Sequence, residues 1–151
     1  MPASNGKRRF LAVCYIVEGV LFFAYSLWRV VINPLQFYGA PPALESAAKF
    51  FILLMLIAGI FFISRALILL KDVIKPSKSD LIASILSISL WVFPALIAMG
   101  NANTYHIAPY IPEESRSMCF YYLQIGALFI VIGIFNLSSL FLSIYLIRSR
   151  R

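Results

Sequence analysis

Four long apolar stretches decide what this chain can fold into. They run from Phe10 to Ile32, from Phe50 to Leu70, from Leu81 to Met99 and from Met118 to Ile147, each close to or above the roughly 20 residues that cross a bilayer as a helix. Inside hydrocarbon every backbone N–H and C=O must find its partner within the spanning segment or in a closed barrel. Stretches of this length and unbroken apolarity satisfy that demand as helices. The sequence therefore predicts an all-α membrane protein, one four-helix transmembrane domain over 1–151, arranged as an antiparallel bundle with both termini cytoplasmic. Outer loops are expected at 33–49 and 100–117, and a cytoplasmic loop at 71–80.

Composition agrees. Hydrophobic residues make up 62% and charged residues 13%, with a mean hydropathy of +0.89. A soluble domain is nearer about 45–50% apolar and about 25% charged.

The breaks have local causes. Asn33-Pro34 ends the first stretch, because a residue before proline is pushed out of the α region, and Pro41-Pro42 precedes a helix start near Ala43 with Glu45 in its first turn. Ser77, Ser79 or Asp80 is positioned to cap the third helix. Pro94 lies inside that helix, where a kink is expected. The first stretch lies near the N-terminus but exceeds a signal-peptide core of about 7–15 residues, and is read as a retained helix.

The net charge of +7, from 13 Lys and Arg against 6 Asp and Glu, would suggest nucleic acid in a soluble protein. Here the basic residues form three clusters that a four-pass chain places on one side: Lys7, Arg8 and Arg9; Lys71, Lys75 and Lys78; Arg148, Arg150 and Arg151. Lys49 and Arg116 fall on the other side. The positive-inside rule makes the clustered side cytoplasmic. The surplus thus reports orientation, and no nucleic-acid partner is expected.

Ionisable residues within spanning helices are costly and are functional candidates by default. Glu18 and Arg29 lie in the first stretch and Arg65 in the second. Counted at about 1.5 Å per residue, Glu18 and Arg65 come to similar depths on the cytoplasmic side, which predicts an intramembrane ion pair between them; the alternative is separate satisfaction, with a protonated Glu18 bonded to a serine or tyrosine and Arg65 snorkelling to the cytoplasmic head groups. Tyr15, Glu18, Phe22, Tyr25 and Arg29 share one helix face by their spacing and are read as the bundle-facing stripe. Arg29 is expected to anchor the outer interface with Trp28, Tyr121 and Tyr122, or to reach Glu45 or Glu114.

On the last helix Gly126 and Gly133 allow close approach of a neighbour, and Asn136 can bond across helices. These three mark a helix-packing or partner face. Cys14 and Cys119 fall at different depths and are read as free thiols. His106 has no partners at metal or triad spacing, so neither metal nor other cofactor is expected.

Nothing in the sequence forms a catalytic constellation. The functional expectation is a non-enzymatic tetraspan protein of the plasma membrane or an endomembrane, acting by lateral association as accessory subunit, scaffold or trafficking partner. Its partners would be the lipid bilayer and a membrane protein or a second copy. The competing expectation is a small transporter or lipid-handling enzyme with a polar site around Glu18 and Arg65.

Overall fold

The computed structural model describes residues 3–32, 42–71, 76–107 and 113–149. The chain is all-helical: α1 Ala3–Leu27, prolonged by a five-residue π-helical turn Trp28–Ile32, then α2 Pro42–Leu70, α3 Lys78–Ile107 and α4 Glu113–Arg148. Each contains a span long and apolar enough to cross a membrane: Gly6–Val31, Ser46–Leu70, Lys78–Asn103 and Arg116–Arg148.

The helices outrun the apolar stretches that announced them. The residues expected as outer loops 33–49 and 100–117 supply the first turns of α2, the last turns of α3 and the start of α4. A helix ends where its backbone groups find other partners, not where hydrocarbon ends. Pro42 opens α2, a first-turn position where its missing N–H costs nothing. α3 runs on past Gly100, held by its neighbour: Ala98 and Ala102 are buried, and the Cys119 thiol of α4 reaches the Ala102 carbonyl at 3.4 Å. It also runs through Pro94 without interruption. Its start is capped from within its first turn: Ser77 precedes the helix, and its N–H donates to Asp80 Oδ2 at 2.7 Å.

α1 packs along α2 and α4, and α3 packs along α4, while α2 and α3 touch sparingly. The core is built from Leu11, Tyr15 and Phe22 of α1, Met55, Phe62 and Leu69 of α2, Leu90 of α3, and Phe129 and Ile132 of α4. Large apolar side chains such as Phe50 and Ile57 of α2, Leu86 and Leu96 of α3, and Ile134 and Phe141 of α4 point outward, as hydrocarbon solvent requires.

Glycines set the closest approaches. A Cβ on Gly19 would stand 2.9 Å from the Gly59 carbonyl oxygen and the Ile63 nitrogen, and one on Gly59 would stand 2.8 Å from the Phe23 nitrogen. The α1–α2 crossing is therefore backbone against backbone. On α4, Gly133 lies under the Trp91 ring, 2.7 Å from a Cβ built there, whereas Gly126 faces the Met99 side chain. Both glycines thus serve packing of α4 on α3. Gly133→Ala is expected to cost about 1–3 kcal/mol, because a ring wedged between helices cannot yield. Gly126→Ala should be nearly neutral, since the Met99 thioether can swing aside. Unfolding of both variants in one detergent checks the contrast.

Candidate functional site

Glu18 sits near the middle of the Gly6–Val31 span and is fully buried. Its Oε1 accepts from Ser87 Oγ of α3 at 3.0 Å and from Asn136 Nδ2 of α4 at 2.9 Å. The same Nδ2 also lies 3.1 Å from the Ser84 carbonyl and 2.5 Å from Ser87 Oγ. Trp91 Nε1–H donates to Asn136 Oδ1 at 3.2 Å. An indole nitrogen can only donate, so this bond fixes the amide: Oδ1 must face Trp91 and Nδ2 must face the acceptors. The cluster thereby ties α1, α3 and α4 together at mid-span.

The Glu18–Arg65 ion pair expected from the sequence is not formed. Arg65 turns to Asp80 instead: Nε donates to Oδ1, and Nη2 to Oδ2 at 2.7 Å, a two-pronged carboxylate clamp. A further donation from Nη2 reaches Ser77 Oγ at 3.4 Å. The Asp80 side chain is fully buried and that of Arg65 is 12% exposed. Asp80 therefore caps α3 and pins α2 to it at one end of the spans, close to Lys71 and Lys78. Arg65 lies nearer the end of its span than Glu18 does to either end of its own, so their depths do not match.

The bundle-facing stripe of α1 is as its spacing indicated: Tyr15, Glu18 and Phe22 are fully buried, and Tyr25 and Arg29 are half-buried. Tyr15 shares a hydrogen bond of 3.2 Å with Ser143 of α4, and its ring packs on Phe62 of α2. Where α1 ends, Arg29 Nη1 donates to Tyr121 Oη at 3.3 Å, and the guanidinium lies 5.6 Å from the Trp28 ring. Trp28 in turn meets Tyr121, which meets Tyr122. The four residues expected at the outer interface are thus one aromatic and cationic cluster. At the opposite end Lys7 Nζ stands 3.9 Å over the Tyr145 ring.

Cys14 is buried, Cys119 is half-buried, and neither forms a disulfide. Among the described residues no cluster of His, Cys, Asp or Glu could hold a metal ion. Lys75, Arg150 and Arg151 lie outside the described residues, as do the side chains of Glu45, His106 and Glu114.

The sequence brings Glu18, Arg65 and Asn136 together only as a possible polar site of a transporter or lipid-handling enzyme, and it does not mark Asp80 as an ion-pair member. Their register held the signal. Asp80, Ser84, Ser87 and Trp91 are spaced 4, 3 and 4 along α3, and Asn136, Ser139 and Ser143 are spaced 3 and 4 along α4, so each set lines one helix face.

The cluster makes a direct prediction. Asn136→Leu strands Trp91 Nε1 and removes a donor from Glu18, and is expected to cost about 1–2 kcal/mol, the upper part of the range for interhelical bonds in membranes. Asn136→Gln should recover part of it. Unfolding by titration with a denaturing detergent is the measurement.

No family model matches this chain, and no curated protein or solved structure matches it either.

Proposed function

We propose that this chain is a non-enzymatic multi-pass membrane protein that acts by lateral association, as an accessory subunit, scaffold or trafficking partner of a membrane complex. Its four helices form an antiparallel bundle with both termini on the cytoplasmic face of the plasma membrane or an endomembrane. The alternating contacts of α1 with α4 support the antiparallel part: Lys7 with Tyr145, Tyr15 with Ser143, Glu18 with Asn136 and Arg29 with Tyr121. The orientation is supported by Lys7, Arg8, Arg9, Lys71, Lys78 and Arg148, which this arrangement gathers at one end.

The observation that carries the functional reading is the enclosure of the Glu18 cluster. Glu18, Ser84 and Asn136 are wholly buried, and Ser87 and Trp91 spend their donors on the cluster itself. Arg65, the other half of a polar substrate site, is clamped by Asp80. The interior polarity is thus engaged in holding helices together. A shallow pocket of about 380 Å³ exists at the end of α4, lined by Phe141, Ile144, Tyr145, Arg148 and Ser149, none of them a member of the Glu18 cluster. What the spans present outward is apolar side chains, a surface suited to lipid and to other membrane helices. Gly126, Gly133 and Asn136 are occupied by α3 and α1, so a partner would meet the outward faces bearing Leu86, Leu96, Ile134 or Phe141 instead.

Site-specific photocrosslinking in native membranes tests this. A photoreactive residue at Leu96 or Phe141 is expected to give a discrete protein adduct, and one at Phe62 only intramolecular products. Lipid adducts alone from every outward position contradict the proposal.

A further inference from the structure

The two carboxyl oxygens of Glu18 are in unlike states. Oε1 has two donors, while Oε2 is enclosed with no hydrogen-bond partner. Ser84 Oγ is enclosed as well, with the Tyr15 hydroxyl beside it. Both belong to one cluster, since Asn136 Nδ2 touches Glu18 Oε1 and the Ser84 carbonyl together. A carboxyl buried at mid-span needs either a cation or a proton to offset its charge. The titratable groups beside it are Cys14 and Tyr15 on α1; Arg65 of α2 and Asp80 of α3 lie further along and are joined to each other, while α4 brings the uncharged Asn136, Ser139 and Ser143. Among the described residues no cation is hydrogen-bonded to Glu18.

A polar column leads away from it in one direction. Asp80, Ser84 and Ser87 line one face of α3, Tyr15 lies against Ser143 at 3.2 Å and beside Ser84, and all are buried. It ends at the Arg65–Asp80 pair, with Ser77 at the start of α3. In the other direction the next buried side chains are Phe22, Phe129 and Ile132, which cannot carry a proton.

We propose that Glu18 is an intramembrane proton-binding site, loaded and unloaded through this hydroxyl column from the Arg65–Asp80 end. Hydronium at that end gives a proton to the nearest hydroxyl, each hydroxyl passes its own proton onward, and the Glu18 carboxylate becomes the acid. Only O–H bonds form and break, and one water is left behind. This stands independently of lateral association.

Dicyclohexylcarbodiimide, a lipid-soluble reagent that attacks protonated carboxyls, tests it on the full chain in proteoliposomes, with adducts mapped by peptide mass spectrometry between about pH 5 and about pH 10. An adduct on Glu18 is expected, absent in Glu18→Gln, with a rate that falls about tenfold per pH unit on the alkaline side. Asp80, with both carboxyl oxygens engaged by the Arg65 guanidinium, should stay unlabelled. After a jump from alkaline to acid pH, labelling should recover several-fold more slowly in the Tyr15→Phe, Ser84→Ala double variant. Glu18 left unlabelled at every pH in protein of full helical content, or labelled at a pH-independent rate, overturns the site. Protection by sodium at constant pH reassigns the ligand to sodium and overturns the proton. An unchanged recovery rate in the double variant overturns the route.

Discussion

Gly59→Val is expected to abolish the folded monomer, with a loss of about 3 kcal/mol or more. A Cβ alone at this position lies 2.8 Å from the Phe23 nitrogen and 2.9 Å from the Gly19 carbonyl oxygen, and valine adds two methyl groups to that contact. Backbone atoms of a helix cannot swing aside as a side chain can, so α1 and α2 must separate. Overpacking where neighbours can adjust costs about 1–3 kcal/mol, and the rigid crossing lies at or beyond the top of that range. Separation would also loosen Tyr15 from Phe62 and unpack Phe22. Gly19→Val should behave alike, since its Cβ meets Gly59 and Ile63 in the same crossing. Gly126→Ala is the near-neutral control, because only the Met99 side chain need move. Equilibrium unfolding in mixed micelles measures all three, and a Gly59→Val protein as stable as wild type would refute the crossing.

Breaking the Arg65–Asp80 clamp should have the second large effect. Truncating one member of a buried pair leaves the other charge without compensation, at about 3–5 kcal/mol. With Asp80 fully buried and Arg65 only 12% exposed, solvent does little to relieve it. Asp80→Ala should be the worse of the two, because the carboxylate also accepts the Ser77 N–H that starts α3, a capping contribution of about 1 kcal/mol. Replacing both charges, as in Arg65→Met with Asp80→Leu, should recover most of the loss, leaving the capping deficit. A double-mutant cycle decides the partner: strong coupling is expected between Arg65 and Asp80, and little between Arg65 and Glu18. The reverse pattern would restore the pairing that helix depth alone suggests.

That reversal shows how far the sequence could be read. The four helices were legible because hydrocarbon leaves an apolar segment of this length one economical conformation. Their ends were not, because Pro42, Ser77 and the buried Ala102 set them through capping and packing rather than through hydropathy. The Glu18–Arg65 pairing failed on the same ground. Counted from Phe10, Glu18 matches the depth of Arg65, but the span begins at Gly6, which carries Glu18 a further turn inward. Asp80, one residue before the third apolar stretch, belongs to the loop by hydropathy, yet it lies inside α3. Asn136 was recognisable as a residue that must bond across helices, yet its partners on α1 and α3 depend on how the helices are arranged, which no single segment encodes. Gly19 and Gly59 lie on separate helices, without the paired spacing that marks a crossing within one chain segment.

The Trp28, Arg29, Tyr121 and Tyr122 group was legible for a different reason. Aromatic and long cationic side chains gather where hydrocarbon meets water, so residues at matching helix ends meet once α1 lies beside α4. The structure adds the π-helical turn at Trp28–Ile32, within which Arg29 donates to Tyr121.

Lateral association is tested most directly by native mass spectrometry of the full chain extracted from its own membrane in lipid nanodiscs. The protein is expected at a mass above the 17.0 kDa of one chain, carrying a membrane-protein partner or a second copy. A single species of 17.0 kDa, bearing lipid alone at native abundance, would contradict it.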